Sequence, residues 1–512
     1  MTATKNPDDL MKVVQKIAPQ VADYYEIAAI VESQGNTDRS MKDWGFPTVF
    51  SMAEHLFARF PREIAAQEKE AGESKLRAFG SEMWRAVCKI CPSLAYAIPW
   101  MALLALQYLY PDALQVSPEL GGALSLSLIA SLITTGGFTQ MISRAGNLYY
   151  GLQEPFLARR FCVALLVLGT AMVFVLSLLG ILIGLYFQIF AVTYLVLAAV
   201  NYLGLCLLWM FCAVVSVQGT GWCIPIVFLV SGLAAGLIRA LLHPSTTFLL
   251  MLWPPLALLC ALPWILMGFR KLEKKHPNTR DSARPRFSVA VLSMGPFFLY
   301  GTVYFSFMFA DRLTAGSAIP WVSGLSFGID SAYTQGMDLV LLAFLVTAAS
   351  TEYFSDAFLR FWNRLAKEIP QAETGKLIHR LRRRHAAIIF FILIVFMLIC
   401  GVSWQLFSRS FGMVASPRLL QTALMGGLGY FMLSIALLEN IILASINSTP
   451  WALRAVSIGL AVNLIAGYAL SHLLGVQYAA MGLLLGSSVL LWKCNGAVRE
   501  ALRHPDYHYS VA

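Results

Sequence analysis

Between Phe161 and Gly184 the chain reads FCVALLVLGTAMVFVLSLLGILIG, without one charged side chain. An α-helix needs about 20 apolar residues to cross the hydrocarbon of a bilayer. In that solvent each backbone N–H and C=O must be satisfied within the protein, so an isolated run of this kind crosses as a helix. Such runs recur along the sequence, at 87–110, 118–143, 161–184, 187–215, 222–242, 246–268, 288–310, 334–358, 386–408, 418–445, 452–472 and 476–498. Charged residues make up 13% of the 512, about half the share found in soluble domains. The predicted fold is therefore all-α: a polytopic membrane protein of about 12 transmembrane helices in two six-helix bundles, with a small helical N-terminal region in the cytosol.

Loop charge sets the orientation. The linker 270–287 carries Arg270, Lys271, Lys274, Lys275, Arg280, Arg284 and Arg286, and the loop 360–384 carries Arg360, Arg364, Lys367, Lys376, Arg380, Arg382, Arg383 and Arg384. Loops of the opposite side are short or poor in charge. The positive-inside rule places the basic loops, and with them both termini, in the cytosol. The formal net charge of +10 is thus a topological signal and implies no nucleic-acid partner. No apolar run occurs in the first 80 residues, so no cleavable signal peptide is expected. The nine cysteines lie mostly in or beside the spans, and only Cys88 and Cys91 form a CxxC, with no second pair or nearby histidine to complete a zinc site. Packing is their expected role, and no metal or cofactor is expected.

These signals divide the chain into a cytosolic region (1–86), a first bundle (87–269), a basic linker (270–287), a second bundle (288–500) and a cytosolic tail (501–512). Amphipathic spacing in DDLMKVVQKIAPQVADYYEIAAIVESQG, SMAEHLFARF and SKLRAFGSEMWRAV marks the first region as helical, either a cap or a docking module. The linker separates six spans from six, and some features recur at matching places. Basic and aromatic residues lie together after the second span of each half: Arg144, Tyr149, Tyr150, Arg159 and Arg160 in one, Arg360, Phe361, Trp362 and Arg364 in the other. Trp222 and Trp451 open the fifth spans, and a histidine follows each, at His243 and His472. This is the pattern of a parallel repeat, a common way to build a transporter.

Polar side chains inside hydrocarbon are costly and therefore functional candidates. Asn201 and Asn463 lie at mid-span, Glu439 and Asn440 in the inner third of the tenth span, and Gln140 and Arg144 one turn apart at the inner end of the second. With Arg159, Arg160, Arg360 and Arg364 they form a candidate transport path with a basic cytosolic mouth. Each has a simpler reading as well: an interhelical hydrogen bond for the asparagines and a snorkelling anchor for Arg144. Asp311, Arg312 and Trp321 are candidate outer-face contacts, the first two expected at a solvated helix end and the tryptophan suited to stacking on a sugar or to interfacial anchoring. No HExxH or P-loop occurs, so a transporter is expected and not an enzyme.

The stretches carrying Ser143-Arg144, Leu148-Tyr149-Tyr150 and Arg159-Arg160, together with GPFFLYGTVYFSFMFADRLTAG (295–316) and the span from Tyr333 through Glu352 to Trp362, resemble the Pel exopolysaccharide transporter family. The resemblance covers roughly residues 85–500. That family is similar in fold to the polysaccharide flippases of the multidrug/oligosaccharidyl-lipid/polysaccharide superfamily. An aspartate is expected close after the tyrosine that opens the eighth span, but Thr334 follows Tyr333 and the aspartate comes at 338. What the resemblance implies is export of a polysaccharide or glycan cargo across the bacterial inner membrane for biofilm matrix. It further implies a cytosolic glycosyltransferase and other inner-membrane subunits as partners, besides membrane lipids. A lipid-linked oligosaccharide or drug flippase of the same superfamily is the alternative, and a non-transporting scaffold for a glycosyltransferase is another.

Overall fold

The computed structural model describes residues 10–11, 13–14, 24–33, 36–42, 44–59, 75–94, 98, 118–152, 154–188, 190–275, 287–319, 330–368, 374–410, 416–446 and 449–503. Of the expected span 87–110, only 87–94 and 98 lie among them. Trp321, the linker from 276 to 286 and the tail from 504 lie outside them. All regular structure among the described residues is helical, and eleven helices are long and apolar enough to cross a membrane.

The chain divides into two compact units, one of residues 1–84 with 360–380, the other of residues 85–359 with 381–512. In the first, helices α1 (Tyr24–Ser33), α2 (Asp38–Lys42) and α3 (Val49–Arg59) enclose a core that includes Leu10, Ile27, Val31, Met41, Met52 and Leu56. The start of α3 is capped. The Val49 N–H donates to Asp38 Oδ1 at 2.7 Å, and Thr48 and Ser51 exchange backbone-to-hydroxyl bonds at 3.2 Å. Residues 360–380 of the basic loop 360–384 belong to this unit; there Arg360 Nη2 pairs with Glu82 at 3.3 Å. The pairing needs an acid far away in sequence, which loop composition alone does not reveal.

The second unit holds the membrane helices. Its N-terminal half comprises the end of α4 (Lys75–Leu94), then α5 (Pro118–Gly151), α6 (Pro155–Tyr186), α7 (Val192–Val217), α8 (Ile224–Leu242) and α9 (Thr246–Lys275). The C-terminal half comprises α10 (Phe287–Ser317), α11 (Ser331–Glu368), α12 (Thr374–Ser410), α13 (Pro417–Ser445), α14 (Thr449–Leu474) and α15 (Ala479–Ala501). Most run longer than their apolar cores because backbone bonding continues into polar flanks. At Gly475, with φ 120°, the chain reverses before α15, a conformation in which a side chain would be strained.

Within each half the second helix packs on the fourth. Helix α5 lies against α7, and α11 lies against α13, where Phe344 and Tyr430 stack with centroids 5.0 Å apart. Hydroxyls tie α5 to α7: Asn201 Nδ2 donates to Ser127 Oγ at 2.8 Å, Tyr202 to Thr134 Oγ1 at 3.1 Å and Trp209 Nε1 to Ser131 Oγ at 3.1 Å. Such bonds between membrane helices contribute about 0.6 kcal/mol on average and at most about 1.7. A double-mutant cycle of Asn201→Leu with Ser127→Ala, read by unfolding in detergent, is expected to return a coupling of that size. Lost transport at unchanged stability would instead place Asn201 on the cargo path.

The halves meet where α5 crosses α10. Gly136, Gly137 and Gly301 make the approach possible. A Cβ on Gly301 would overlap the Gly136 carbonyl, and one on Gly136 or Gly137 would overlap Phe305 or Phe298. Small residues at crossings let backbones pack closely where no hydrophobic driving force exists.

Candidate functional site

A charged cluster within the spans of the second unit is built by α10, α11 and α13. Asp311 and Arg312 do not end a helix in solvent, as their sequence context suggests, because α10 continues to Ser317 and buries both, Asp311 completely. As sequence neighbours they point about 100° apart around the helix. This divergence lets each reach a different partner on α11. The Tyr333 hydroxyl donates to Asp311 Oδ2 at 2.8 Å, and Arg312 Nη2 donates to Asp338 Oδ1 at 2.7 Å. The start of α11 is fixed by Asp330, whose Oδ1 accepts the Tyr333 N–H at 2.8 Å. Tyr430 of α13, fully buried, closes the cluster and donates to the Met308 carbonyl at 3.4 Å.

Chemically the cluster holds two carboxylates against one guanidinium. The excess formal negative charge is one that a proton or a small cation can offset. Beside it lies a small cavity of ≈ 40 Å³ between the halves, lined by Ser125, Leu126 and Ile129 of α5, Arg312 of α10, and Tyr333 and Thr334 of α11. That volume admits water. Tyr333, Asp338 and Tyr430 were not among the expected site residues. The signal available was Asp338 itself, an acid inside the apolar run of the eighth span, which stood out only as a displaced aspartate.

A second polar group lies on α12, α13 and α15. Glu439 is fully buried, with Oε1 3.8 Å from His385 Nε2. Arg499 is within electrostatic reach of it. Asn440, beside Glu439, accepts from Cys494 Sγ through Oδ1 at 3.2 Å. The two mid-span asparagines each bond a neighbouring helix. Asn201 bonds Ser127 as described, and Asn463 Nδ2 donates to the Phe307 carbonyl at 3.1 Å, tying α14 to α10.

Of the expected basic mouth, Arg144, Arg159 and Arg160 belong to the second unit and Arg360 and Arg364 to the first. Arg144, on the exposed end of α5, lies over the Phe297 ring of α10 at 5.1 Å, a contact across the two halves. Gln140, one turn earlier, faces Gly301 of α10. Arg159 is held by Glu273 of α9, with Nη1 2.9 Å from Oε1. Arg160 and Arg364 are exposed, and Arg360 pairs with Glu82. A further tie between the halves joins α4 to α11: Lys89 Nζ lies 3.4 Å from Asp356 Oδ1, and Ser93 hydrogen-bonds Glu352.

The arrangement of these helices is similar to that of solved transporters. The chain shares the MATE fold. Against a mutant of the Vibrio cholerae MATE transporter VcmN the TM-score is 0.59 at 14% identity, covering 85% of this chain and 99% of that one. The bent form of VcmN gives 0.52 at 18%, covering 83% and 99%. A multidrug-resistance MATE family transporter of the MOP superfamily, in its outward-facing conformation, gives 0.51 at 14%, covering 82% and 96%. No family model matches the sequence, and neither does any curated protein. The MATE likeness extends over most of the chain and agrees with the all-α, multi-pass architecture expected from the apolar runs.

Proposed function

We propose that this protein is a flippase-like transporter that exports exopolysaccharide across the bacterial inner membrane. In this reading it works within a synthesis and secretion complex, with a cytosolic glycosyltransferase and other inner-membrane subunits. The observation that carries the transporter reading is the Asp311–Arg312–Tyr333–Asp338 cluster buried beside the cavity between the halves. Charges at such depth are expensive and are retained where a pathway or coupling site requires them. The MATE-like fold supports the same conclusion, with motion as rocking of one half against the other. Arg144, poised over Phe297 at the seam between α5 and α10, is then a residue of the cytosolic mouth. The polysaccharide cargo rests on the sequence resemblance to the Pel transporter family.

A second reading, a drug or lipid-linked oligosaccharide flippase, is favoured by the multidrug transporter among the structural neighbours. One experiment separates the two. In a strain lacking this protein, loss of extracellular polymer with unchanged drug susceptibility is the expected result, and Arg144→Gln at normal protein level should reproduce part of it. Unchanged polymer with heightened drug susceptibility selects the second reading. If neither changes, the transporter proposal fails.

A further inference from the structure

Helix α12 carries no aspartate or glutamate anywhere between Thr374 and Ser410. Within the second unit it begins Leu381-Arg382-Arg383-Arg384, and Leu381, His385 and Ile388 turn into the protein. Arg382 and Arg383 are on the opposite side and exposed. Steps of three and four residues from them meet Ala386, Ala387, Phe390, Ile394 and Met397. All five are exposed, Phe390 and Met397 at 63% each. One helix face thus runs from a pair of guanidinium groups directly onto a strip of apolar side chains. The contrast with α9 is instructive, because there the basic end of the helix contains Glu273, which is engaged by Arg159.

We infer that this face of α12 is a binding site for an anionic phospholipid. The strip from Ala387 to Met397 lies against acyl chain. Arg382 and Arg383 stand about one turn above Ala386 and Ala387, which is headgroup depth when those alanines mark the hydrocarbon edge. A guanidinium is a planar fork that bonds two phosphate oxygens at once. A zwitterionic headgroup offers the same phosphate but its own cation competes, so the site selects for net negative charge. A soluble acidic protein fits less well, since it would leave the apolar half of the face without a match. The inference is independent of what cargo the protein moves.

The test uses the full chain in nanodiscs made from phosphatidylcholine with one part in five phosphatidylglycerol, and native mass spectrometry to count the lipids retained. Wild-type protein is expected to retain phosphatidylglycerol above its share in the disc, with roughly a fivefold preference contributed per arginine. The Arg382→Gln/Arg383→Gln variant should lose that preference, whereas Arg270→Gln/Lys271→Gln on α9 should keep it. Retention must also fall in wild-type protein as salt is raised, because the attraction is screened. This arm stands if the arginine variant does not fold. Wild-type retention in proportion to the disc composition, equal loss in both variants, or indifference to salt would each overturn the site. So would a variant that keeps its lipid but loses an acidic protein partner.

Discussion

Replacing Arg312 with alanine is expected to destabilise the protein by about 3–5 kcal/mol, the range seen when one partner of a buried ion pair is removed. The guanidinium donates to Asp338 at 2.7 Å and sits beside fully buried Asp311. Its loss leaves two carboxylates among apolar helices with no cation between them. The variant should show a markedly lower unfolding temperature in detergent and reduced abundance in the membrane. The informative companion is Arg312→Met with Asp338→Leu. Apolar replacement of a whole buried pair is often neutral or stabilising, so this double variant should recover most of the lost stability. If transport requires the charges, it will fold and still fail to export. A double variant as unstable as Arg312→Ala would show that the cost lies at Asp311, left buried without a cation, and not in the Arg312–Asp338 pair.

Gly301→Ala is expected to be damaging by a different route. Its Cβ would overlap the backbone carbonyl of Gly136 and the Gln140 side chain on α5. A flexible side chain can turn aside, but a helix backbone cannot, so α5 and α10 must separate. Overpacking typically costs 1–3 kcal/mol and occasionally more. The consequence for function should exceed that figure, because this crossing joins the two halves. Gly180→Ala on α6 is the control. Nothing lies within 4 Å of a Cβ there, and alanine favours a helix by about 1 kcal/mol over glycine. A Gly301→Ala protein as stable and active as wild type would remove the crossing from the mechanism.

Several parts of this architecture are legible from the chain itself. Long apolar runs dictate membrane helices because the bilayer leaves the backbone no other way to bond, and the structure places helices over eleven of the twelve expected spans. Intramembrane polarity singled out Glu439, Asn201 and Asn463, and all three are buried. It did not say what they touch. Asn201 and Asn463 fasten helices, since each finds its partner on a neighbour distant in sequence. The recurrence of Trp222 with His243 and Trp451 with His472 did not translate into shared environments. Trp222 packs edge-on against Trp264, while Trp451 is 56% exposed. His243 adopts a left-handed turn, whereas His472 bonds the Tyr468 carbonyl inside a helix.

What the sequence by itself determined is the all-helical, multi-pass character of the protein, because apolar run length and backbone bonding in lipid are local properties. What only the tertiary structure decided is which charges meet. The end of α10 depends on burial by α11 and α13. Only that burial converts Asp311 and Arg312 from an expected solvated terminus into the partners of Tyr333 and Asp338. Arg360 likewise finds Glu82 across most of the chain, and Gly301 acquires its meaning only when Gly136 is brought against it. Pairings of this kind are set by packing between helices, and no local pattern of residues encodes them.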